Sequence, residues 1–430
     1  MEAFNSVLNI FHPQNIESGV YKYETQHFSA IPPINGALIF EIPATGDAYI
    51  NLKKSQLRLK FRIVNSDGSI LTPGTEDARE ERAIHGDIVT VSNLPMACFF
   101  RQVDVCLNDQ NINADVASNY AYKGYIDMLL NTEKQDAETI LQSELCYNDT
   151  VGFPQGDYLS NYGFTARYGF TKDSATVVIK GPIRADICQQ DRLILPGVRV
   201  SVKMYPAEDS FRLHSMIGKN KTYKLEIMEA VLEAYKITPN PCIIKAHQEV
   251  LKQKPSILPF TKSYLKNYNI REGSQSFIMD DLFYDKIPNE LIICMINSEA
   301  YNGKYQLNPF VFEHFKLSYL EYMVNGVSVP GPALTPDFEQ GDYVDCYNAL
   351  FTDKSRVLIS RDGFEDGYTI FRFSMKEDLG KGIGEKVQNA HSRLKLKFKE
   401  PLEENVTLIV YGKFSANVEI NMERKVTVDN

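Results

Sequence analysis

Tryptophan is absent from this chain of 430 residues, whereas tyrosine and phenylalanine each occur 24 times. Cysteine is scarce, because only seven are scattered along the chain and none forms a Cys-x-x-Cys pair. An odd, scattered set of this kind does not make a disulfide framework. We therefore expect the thiols to be small buried side chains in a reducing compartment. They are Cys98, Cys106, Cys146, Cys188, Cys242, Cys294 and Cys346.

An excess of positive charge is missing as well. The chain has 55 acidic residues against 46 basic ones, a formal net charge of −9, so we expect no direct, sequence-specific binding of nucleic acid. No apolar run approaches the ~18 residues of a membrane-spanning helix, and we predict no transmembrane segment. The first 15 residues lack the basic segment and the long apolar core of a secretory signal. Synthesis and folding in the cytosol or nucleus are expected.

Motifs of catalysis are also lacking. The seven histidines are dispersed, without His-x-His or His-Glu-x-x-His spacing, and no Gly-x-Ser-x-Gly occurs. The glycine-rich segment Gly380–Lys386 lacks the Gly-Lys-Ser/Thr ending of a phosphate-binding loop. The sequence therefore predicts no catalytic residue, no cofactor and no metal site.

The most informative segment runs from Phe100 to Asn131, and we call it the signature block. Val103, Val105 and Leu107 alternate with polar residues, which predicts a half-buried strand. Asn108 and Asp109 follow, and both residue types tolerate the left-handed backbone of a tight turn. Ile126 and Leu129 then lie at helical spacing. These five apolar residues (Val103, Val105, Leu107, Ile126 and Leu129) are expected to form the core of the block.

The signature block has a counterpart half a chain later. When QVDVCLNDQNI is set against YLEYMVNGVSV, Asn108 aligns with Asn325. Further pairs share the same order: Tyr125-Ile126-Asp127 with Tyr343-Val344-Asp345, Gly163-Phe164 with Gly363-Phe364, and the closing strings LPGVRVSVKMY with EENVTLIVYGKF. The shared order of strand, turn, helix and terminal strands indicates two copies of one fold.

Many short alternating strands with few helices indicate antiparallel sandwiches. The fold class predicted is all-β, with two tandem antiparallel eight-stranded jelly rolls and short helices inserted in loops. The first roll is placed at residues 1–238, the linker helix at 239–256 and the second roll at 257–430. Within the first roll, residues 1–30 are expected to be an irregular N-terminal arm. Residues 147–175 are expected to be rich in loops, and Val406–Tyr411 and Val418–Met422 to be strands.

Four segments resemble the major capsid proteins of Maverick/Polinton elements, the virus-like transposons of eukaryotes. They are FFRQVDVCLNDQNI…NYAYKGYIDMLLN, GPIRADICQQDRLILPGVRVSV, NSEAYNGKYQLNPFVFEHFKLSYLEYMVNGVSVPGPALTPDF and LKLKFKEPLEENVTLIVYGKFSANVEIN. The resemblance covers about four-fifths of the chain. It implies a double jelly roll and a structural role without catalysis.

The same resemblance implies homotrimers whose six jelly rolls give a pseudo-hexagonal capsomer of an icosahedral viral shell. The partners would be further copies of the chain, neighbouring capsomers and a minor or penton capsid protein. The location would be the virion capsid, with synthesis in the host cytoplasm and assembly in the cytoplasm or nucleus.

Two further alternatives remain open. The chain could be a minor shell protein or a receptor- or carbohydrate-binding jelly roll, with Tyr158, Phe164 and Tyr168 stacking on sugars. It could also be an enzyme on a jelly-roll scaffold, which the missing ligand cluster disfavours.

The N-terminal arm carries an apolar stripe at helical spacing, formed by Phe4, Val7, Leu8 and Phe11. One interpretation is a short helix packed on its own domain, or a disordered end. The other is an assembly arm that docks on a neighbouring capsomer or a minor shell protein. Lys22 is the only basic residue before position 30, so the arm is unlike the Arg-rich arms that neutralise packaged genomes.

Overall fold

The computed structural model describes residues 19–31, 36–72, 75–76, 84–112, 119–150, 160–215, 221–283, 286–351, 356–375 and 391–429. The strands are β1 Val20–Ser29, β2 Leu38–Ile42, β3 Tyr49–Asn65, β4 Thr75–Glu76, β5 Ile84–His85, β6 Val89–Val91, β7 Phe100–Leu107, β8 Gln110–Asn111, β9 Val177–Pro182, β10 Val200–Pro206, β11 Leu213–Ser215, β12 Tyr223–Pro239, β13 Ser256–Ile270, β14 Ser276–Asp280, β15 Glu290–Asn297, β16 Leu317–Val324, β17 Val327–Ser328, β18 Ile370–Ser374, β19 Ser392–Phe398, β20 Val406–Ile420 and β21 Val426–Asp429. The helices are α1 Pro95–Cys98, α2 Tyr120–Asn131, α3 Lys134–Ala137, α4 Tyr162–Thr171, α5 Asp209–Arg212, α6 Pro241–Leu251, α7 Ser298–Asn302, α8 Val344–Ala349 and α9 Arg361–Glu365.

The strands form two sandwiches of the same design. In the first, sheet β1-β12-β3-β9 lies with sheet β2-β10-β7-β8. In the second, sheet β13-β20-β15-β18, with β21 beside β20, lies with sheet β14-β19-β16-β17. Every pairing within these four sheets is antiparallel. Counted along the chain, the eight main strands of each half occupy the same sheet positions, so the predicted double jelly roll is confirmed.

Burial differs between equivalent strands of the two rolls. In β3, Leu57, Leu59 and Phe61 are buried and alternate with partly exposed arginine and lysine, as expected for a sheet with one solvated face. In β15, seven successive residues from Glu290 to Ile296 are buried. A strand loses its alternation when both of its faces are covered. The second roll therefore has material on the outer face of the sheet that contains β15.

The structure corrects the expectation of an irregular arm over residues 1–30. Val20–Ser29 is the edge strand β1, paired with β12 from Val20 opposite Pro239 to Ser29 opposite Val231. Its apolar alternation is weak, because Val20, Glu24 and Phe28 are only partly buried and most other side chains are exposed. The backbone hydrogen bonds to β12, not the side-chain pattern, define this strand.

Two further expectations about local structure need correction, and one long strand was missed. Residues 147–175 contain the helix α4, capped at its start by the Asn161 side chain, which accepts from the Phe164 N–H. The two strands expected over 406–422 are the single strand β20. The long strand β13 was not expected at all, because Pro259 and several polar residues interrupt its apolar pattern while its ladder with β20 runs unbroken.

The internal repeat holds for the two turns, for the helices that follow them (Tyr125–Asp127 in α2 and Val344-Asp345 in α8) and for the Gly-Phe pair. Asn108-Asp109 and Asn325-Gly326 are both two-residue turns with positive φ, at 45° and 73° in the first and 50° and 82° in the second. Phe164 and Phe364 lie in α4 and α9, the helices that precede β9 and β18. The closing strings, however, are not equivalent. LPGVRVSVKMY contains β10, whose counterpart is β19, whereas EENVTLIVYGKF contains β20, whose counterpart is β12.

Helix α6 joins the two rolls between β12 and β13. Asn240 precedes it and accepts the Cys242 N–H, and Pro241 occupies its first turn. Only Leu251 of this helix is buried. It packs lightly and serves as a connection between two sandwiches whose strands pair only within their own half.

Candidate assembly site

The signature block forms the first half of a contact between the two rolls. Strand β7, the turn and α2 follow one another as its pattern predicts, and Val103, Val105, Leu107, Ile126 and Leu129 are all buried. Gly124 lies where α2 touches α1, because an added Cβ would come within 2.9 Å of the Ala97 Cβ. The helix is thereby held close to the first roll on one side, which leaves its other side for the second roll.

The assembly-arm residues Phe4, Val7, Leu8 and Phe11 lie outside the described residues, as does Tyr158. Phe164 is fully buried, edge-on to His214 with ring centroids 5.2 Å apart. It is therefore a core side chain and cannot stack on a sugar. Tyr168 is partly buried and stacks on Phe164. The aromatic surface considered for carbohydrate binding is not present at these two positions.

Charged residues on α2 bind the second roll. The Lys123 ammonium lies 3.1 Å from Asp127 and 3.0 Å from Asp186, and it donates to the Arg184 carbonyl oxygen at 2.6 Å. Asp127 in turn lies 2.7 Å from the Lys413 ammonium of β20. All three ammonium hydrogens of Lys123 thus have acceptors, which is what a buried cation requires.

The network continues into the second roll. Tyr411 donates to Asp127 at 3.1 Å, and Asp186 accepts from both the backbone N–H and the hydroxyl of Ser263 at 2.8 and 2.9 Å. Lys413 also lies 3.7 Å from Glu290, which pairs with the buried Arg372 at 2.6 Å. The ion pairs therefore form a continuous chain from α2 across the interface to β18.

The pKa values in this network follow from burial and opposing charge. Although burial alone would raise the pKa of Asp127, Lys413 and Lys123 hold it well below its ordinary value. Burial alone would lower the pKa of Lys123, but Asp186 and Asp127 raise it above its ordinary value. Asp127 and Lys123 are therefore both charged at neutral pH. A displaced partner would leave a buried charge unpaired, at a cost of about 3–5 kcal/mol, so the network penalises other arrangements of the two rolls.

Aromatic side chains pack beside the charges. Tyr125 stacks on Phe310 with ring centroids 4.3 Å apart, and Tyr122 stacks on Tyr301 at 5.1 Å. Tyr301 also donates from its hydroxyl to the Asn119 side chain at 2.8 Å. Such pairs stabilise by about 0.5–1.5 kcal/mol beyond their buried area. Helix α2 therefore contacts the second roll through two kinds of side chain, the aromatic rings of Tyr122 and Tyr125 and the carboxylate of Asp127.

The turn of the signature block contacts the turn between β20 and β21 of the second roll. The Asn108 side chain accepts the Arg199 N–H at 2.7 Å and donates to the Arg424 carbonyl oxygen at 2.8 Å. Arg424 in turn donates to the Pro196 carbonyl oxygen at 2.7 Å. The equivalent Asn325 accepts the His391 N–H at 2.9 Å. In each turn the asparagine side chain therefore binds the residue just before the neighbouring strand, Arg199 before β10 and His391 before β19. Asn108 also joins the two rolls through its bond to Arg424.

A cleft of about 940 Å³ opens between loops of the two rolls. Asp149 and His214 line it from the first roll and Glu313 and Glu404 from the second. Burial lowers the pKa of His214 to about 4, and burial together with Glu404 raises the pKa of Glu313. Among the described residues, no group of three or more His, Cys, Asp or Glu side chains is placed to hold a metal ion.

Five of the seven cysteines are buried, Cys106 is partly buried and Cys242 is exposed. Burial raises the pKa of Cys146 and of Cys188 to about 12, so these thiols stay protonated at neutral pH.

Within the described ranges, no helix combines the length and the apolar character needed to cross a bilayer.

The interface charges were not identified from the sequence. Lys123 and Asp127 are spaced i, i+4 on a helix that is otherwise apolar, and that is the signal that could have marked them. Asp186 lies 63 residues beyond Lys123, where the fold of the first roll brings it close. Lys413 lies 286 residues beyond Asp127, where only the packing of the two rolls brings it close.

No family model matches the chain. An uncharacterized protein of Caenorhabditis elegans is 23% identical over 402 residues, which cover 89% of this chain and 91% of that protein.

Solved structures match the fold over the whole length. The structure of the Sputnik virophage matches with a TM-score of 0.66 at 10% identity, covering 100% of this chain and 92% of that one. The mavirus major capsid protein matches with a TM-score of 0.57 at 10% identity, covering 100% of this chain and 95% of that one. At this identity the likeness is one of fold, and the chain has the double jelly-roll fold in common with these viral structures.

Proposed function

We propose that this chain is a major capsid protein of the Maverick/Polinton kind, which assembles as a homotrimer into pseudo-hexagonal capsomers of an icosahedral shell. The observation that carries the proposal is the pair of sandwiches with identical strand order, joined by a buried ionic and aromatic interface. The fold shared along the whole chain with the mavirus major capsid protein supports it.

The work of such a protein is burial of complementary surfaces. A tandem pair of similar rolls lets three chains present six similar sides, so hexagonal packing needs no six-chain ring. A permanent trimer should bury more than ~2,000 Å² at each interface. The role requires no catalysis and no cofactor, and the virion capsid is its location. The other partners would be neighbouring capsomers and a minor or penton capsid protein, after synthesis in the host cytoplasm and assembly there or in the nucleus.

We also propose that residues 1–238 and 257–430 are the two rolls and that the N-terminal arm takes part in assembly. In the arm, Phe4, Val7, Leu8 and Phe11 would dock on a neighbouring capsomer. Deleting residues 1–14 should leave the trimer intact and weaken higher assembly. Loss of the trimer itself, seen by light scattering, would contradict this role of the arm.

The main test is the state of the purified protein. Light scattering coupled to gel filtration should give three chain masses, and negative-stain electron microscopy should show particles with a hexagonal outline. A stable monomer at all accessible concentrations would overturn the proposal.

A further inference from the structure

The cleft between the two rolls carries more negative than positive charge. Among the described residues that line it, seven are aspartate or glutamate and one is lysine. Asp149 is paired with the buried Arg167 at 2.8 Å, and Glu400 is paired with Lys316 at 2.5 Å. The other five carboxylates have no ion pair in the part of the chain that the structure describes. They are Glu313, Glu365, Asp366, Glu403 and Glu404.

Like charges in the cleft oppose each other's ionisation. Burial together with Glu404 raises the pKa of Glu313. Burial together with Glu299 and Glu403 raises the pKa of Glu404, although the Asn297 side chain donates a hydrogen bond to its carboxylate. A bound cation would relieve this repulsion, because an opposite charge within a few ångströms favours the ionised carboxylate.

A histidine on the floor of the cleft offers an unused acceptor. His214 lines the cleft although it is only 4% exposed, and its Nε2 has no hydrogen-bond partner among the described residues. Burial lowers the pKa of His214 to about 4, and a hydrogen bond with the Gln306 backbone opposes that shift. A bond that favours the protonated ring is one in which the ring donates, so Nδ1 carries the hydrogen and Nε2 the free lone pair. Nε2 can therefore accept an N–H from a ligand in the cleft.

The walls between the charges are apolar. Leu307, Val311 and Phe315 are partly buried and line the cleft together with the buried Leu402. Lysine and arginine pack their aliphatic stems on such surfaces while their charged ends reach polar partners. The volume of about 940 Å³ is far above the ~30 Å³ of one water molecule and is in the upper range of ligand pockets. It suits a peptide of several residues better than a single ion.

Contacts across the two rolls fix the shape of the cleft. Asn308 of the second roll donates to the Asp149 carboxylate at 3.0 Å, and the Tyr368 hydroxyl donates to the Asp149 carbonyl oxygen at 2.9 Å. Arg167 donates to the same carboxylate at 2.8 Å and to the Tyr147 carbonyl oxygen at 2.8 Å. A site that is formed before binding loses less conformational entropy when its ligand enters.

We propose that this cleft binds a basic segment of a partner protein, a short extended peptide rich in lysine or arginine. Its cationic ends pair with the five carboxylates that lack an ion pair, its aliphatic stems pack on the apolar walls, and one N–H is donated to His214 Nε2. The proposal goes beyond the capsid function and does not depend on the oligomeric state, because every residue that it uses belongs to one chain.

Calorimetric titration of the full chain with the capped peptide Lys-Leu-Lys-Leu-Lys tests the cleft at low ionic strength, where charge pairs are least screened. The cleft variant carries Glu313→Gln and Glu404→Gln, which remove two charges and keep the shape of the side chains. The matched control carries Glu41→Gln and Glu423→Gln, at two exposed residues outside the cleft. Circular dichroism establishes that each variant is folded.

We expect the wild type and the control to bind the peptide equally and the cleft variant to bind it about tenfold more weakly. Without peptide, the cleft variant should unfold at a higher temperature than the wild type, because it loses a repulsion between like charges. A wild type that does not bind the peptide would overturn the proposal. An equal loss of binding in the two double variants would overturn it as well, because the peptide would then respond only to net charge.

Two further measurements test the acceptor and the kind of ligand. His214→Phe keeps an aromatic ring beside Phe164 and removes the Nε2 acceptor, so it should weaken binding several-fold, whereas His391→Phe, at an exposed side chain, should not. Unchanged binding in His214→Phe would overturn the role of Nε2. Spermine, a polyamine without a peptide backbone, should bind more weakly than the peptide. Tighter binding of spermine would assign the cleft to a free polyamine and overturn the peptide ligand.

Discussion

The two jelly rolls share their strand order and differ in what their connecting segments touch. In the first roll, the segment between β8 and β9 carries the twelve-residue α2, which is buried against the second roll. In the second roll, the segment between β17 and β18 carries the six-residue α8, of which only Cys346 is buried. The comparison teaches that the strands preserve the fold and that the inserted helices determine which faces are used for contact.

The largest effects should come from the features that the two rolls share. Phe164→Ala and Phe364→Ala each remove a fully buried ring from the helix before the equivalent strand. Each should lower the free energy of unfolding by about 3–5 kcal/mol. Because the chain has no tryptophan, urea unfolding is best followed by circular dichroism. Phe170→Ala, an exposed ring on the same helix as Phe164, should change stability by less than about 0.5 kcal/mol. If only one of the two substitutions lowers stability by this amount, Phe164 and Phe364 do not have equivalent roles in the two rolls.

The second prediction concerns a feature that the rolls do not share. Asp127→Ala leaves Lys413 and Lys123 without their common carboxylate, and it should cost about 3–5 kcal/mol. Asp345, which the sequence repeat aligns with Asp127, is exposed, so Asp345→Ala should cost less than about 0.5 kcal/mol. Urea unfolding of the two variants measures the difference. Equal costs would show that the ionic network does not distinguish the two halves.

The third prediction contrasts a buried histidine of the first roll with an exposed histidine of the second. Burial lowers the pKa of His214 from 6.5 to about 4. As the pH falls from about 6.5 to about 4, the unfolded chain binds a proton at this site and the folded chain does not. The free energy of unfolding should therefore fall by about 3 kcal/mol between pH 6.5 and pH 4. His214 should contribute little further change at pH values above or below this range.

Unfolding measured across that pH range checks this sign. His214→Leu should remove that part of the pH dependence, whereas His391→Leu, at a side chain that is 75% exposed, should leave it in place. If the slope of stability against pH is the same in wild type and His214→Leu, the imidazole is not held neutral by burial.

The smallest predicted effect is a difference in stability between variants of the two turn asparagines, Asn108 and Asn325. Asn108→Gly and Asn325→Gly keep the left-handed backbone, so they test the side-chain hydrogen bonds alone. Asn325→Gly loses the bond from the His391 N–H and should cost about 1 kcal/mol. Asn108→Gly also loses the bond to the Arg424 carbonyl oxygen and should cost about 1 kcal/mol more. Equal losses in thermal or urea unfolding would remove the role of Asn108 in joining the rolls.

Features with a local cause could be predicted from the sequence. The Asn108 and Asn325 turns follow from residue types that adopt positive φ between alternating strands, and the repeat of these turns led to the duplicated fold. The buried positions of β3 and β7 follow from simple alternation. The double jelly roll was within reach because both copies contain these local patterns in the same order.

Features with a distant cause could not be predicted in this way. Strand β1 is defined by its ladder with β12, two hundred residues away, and its exposed side chains carry no clear period. In β15 and β20 the contact with the first roll covers the outer face, so the missing alternation does not show which side chains face the sandwich core and which face the first roll. The ion pair between Asp127 and Lys413 depends on how two separate sandwiches pack, which no local pattern encodes.

Helix α6 has a consequence for the rate of assembly. It ties the two rolls together, so the contact between them forms within one molecule, at an effective concentration that a short linker sets in the millimolar range. In the trimer that we propose, half of the six contacts around the ring are therefore already made before two chains collide. A ring of six separate rolls would need five successive bimolecular encounters. Three tandem chains need only two, so their assembly should depend less steeply on protein concentration.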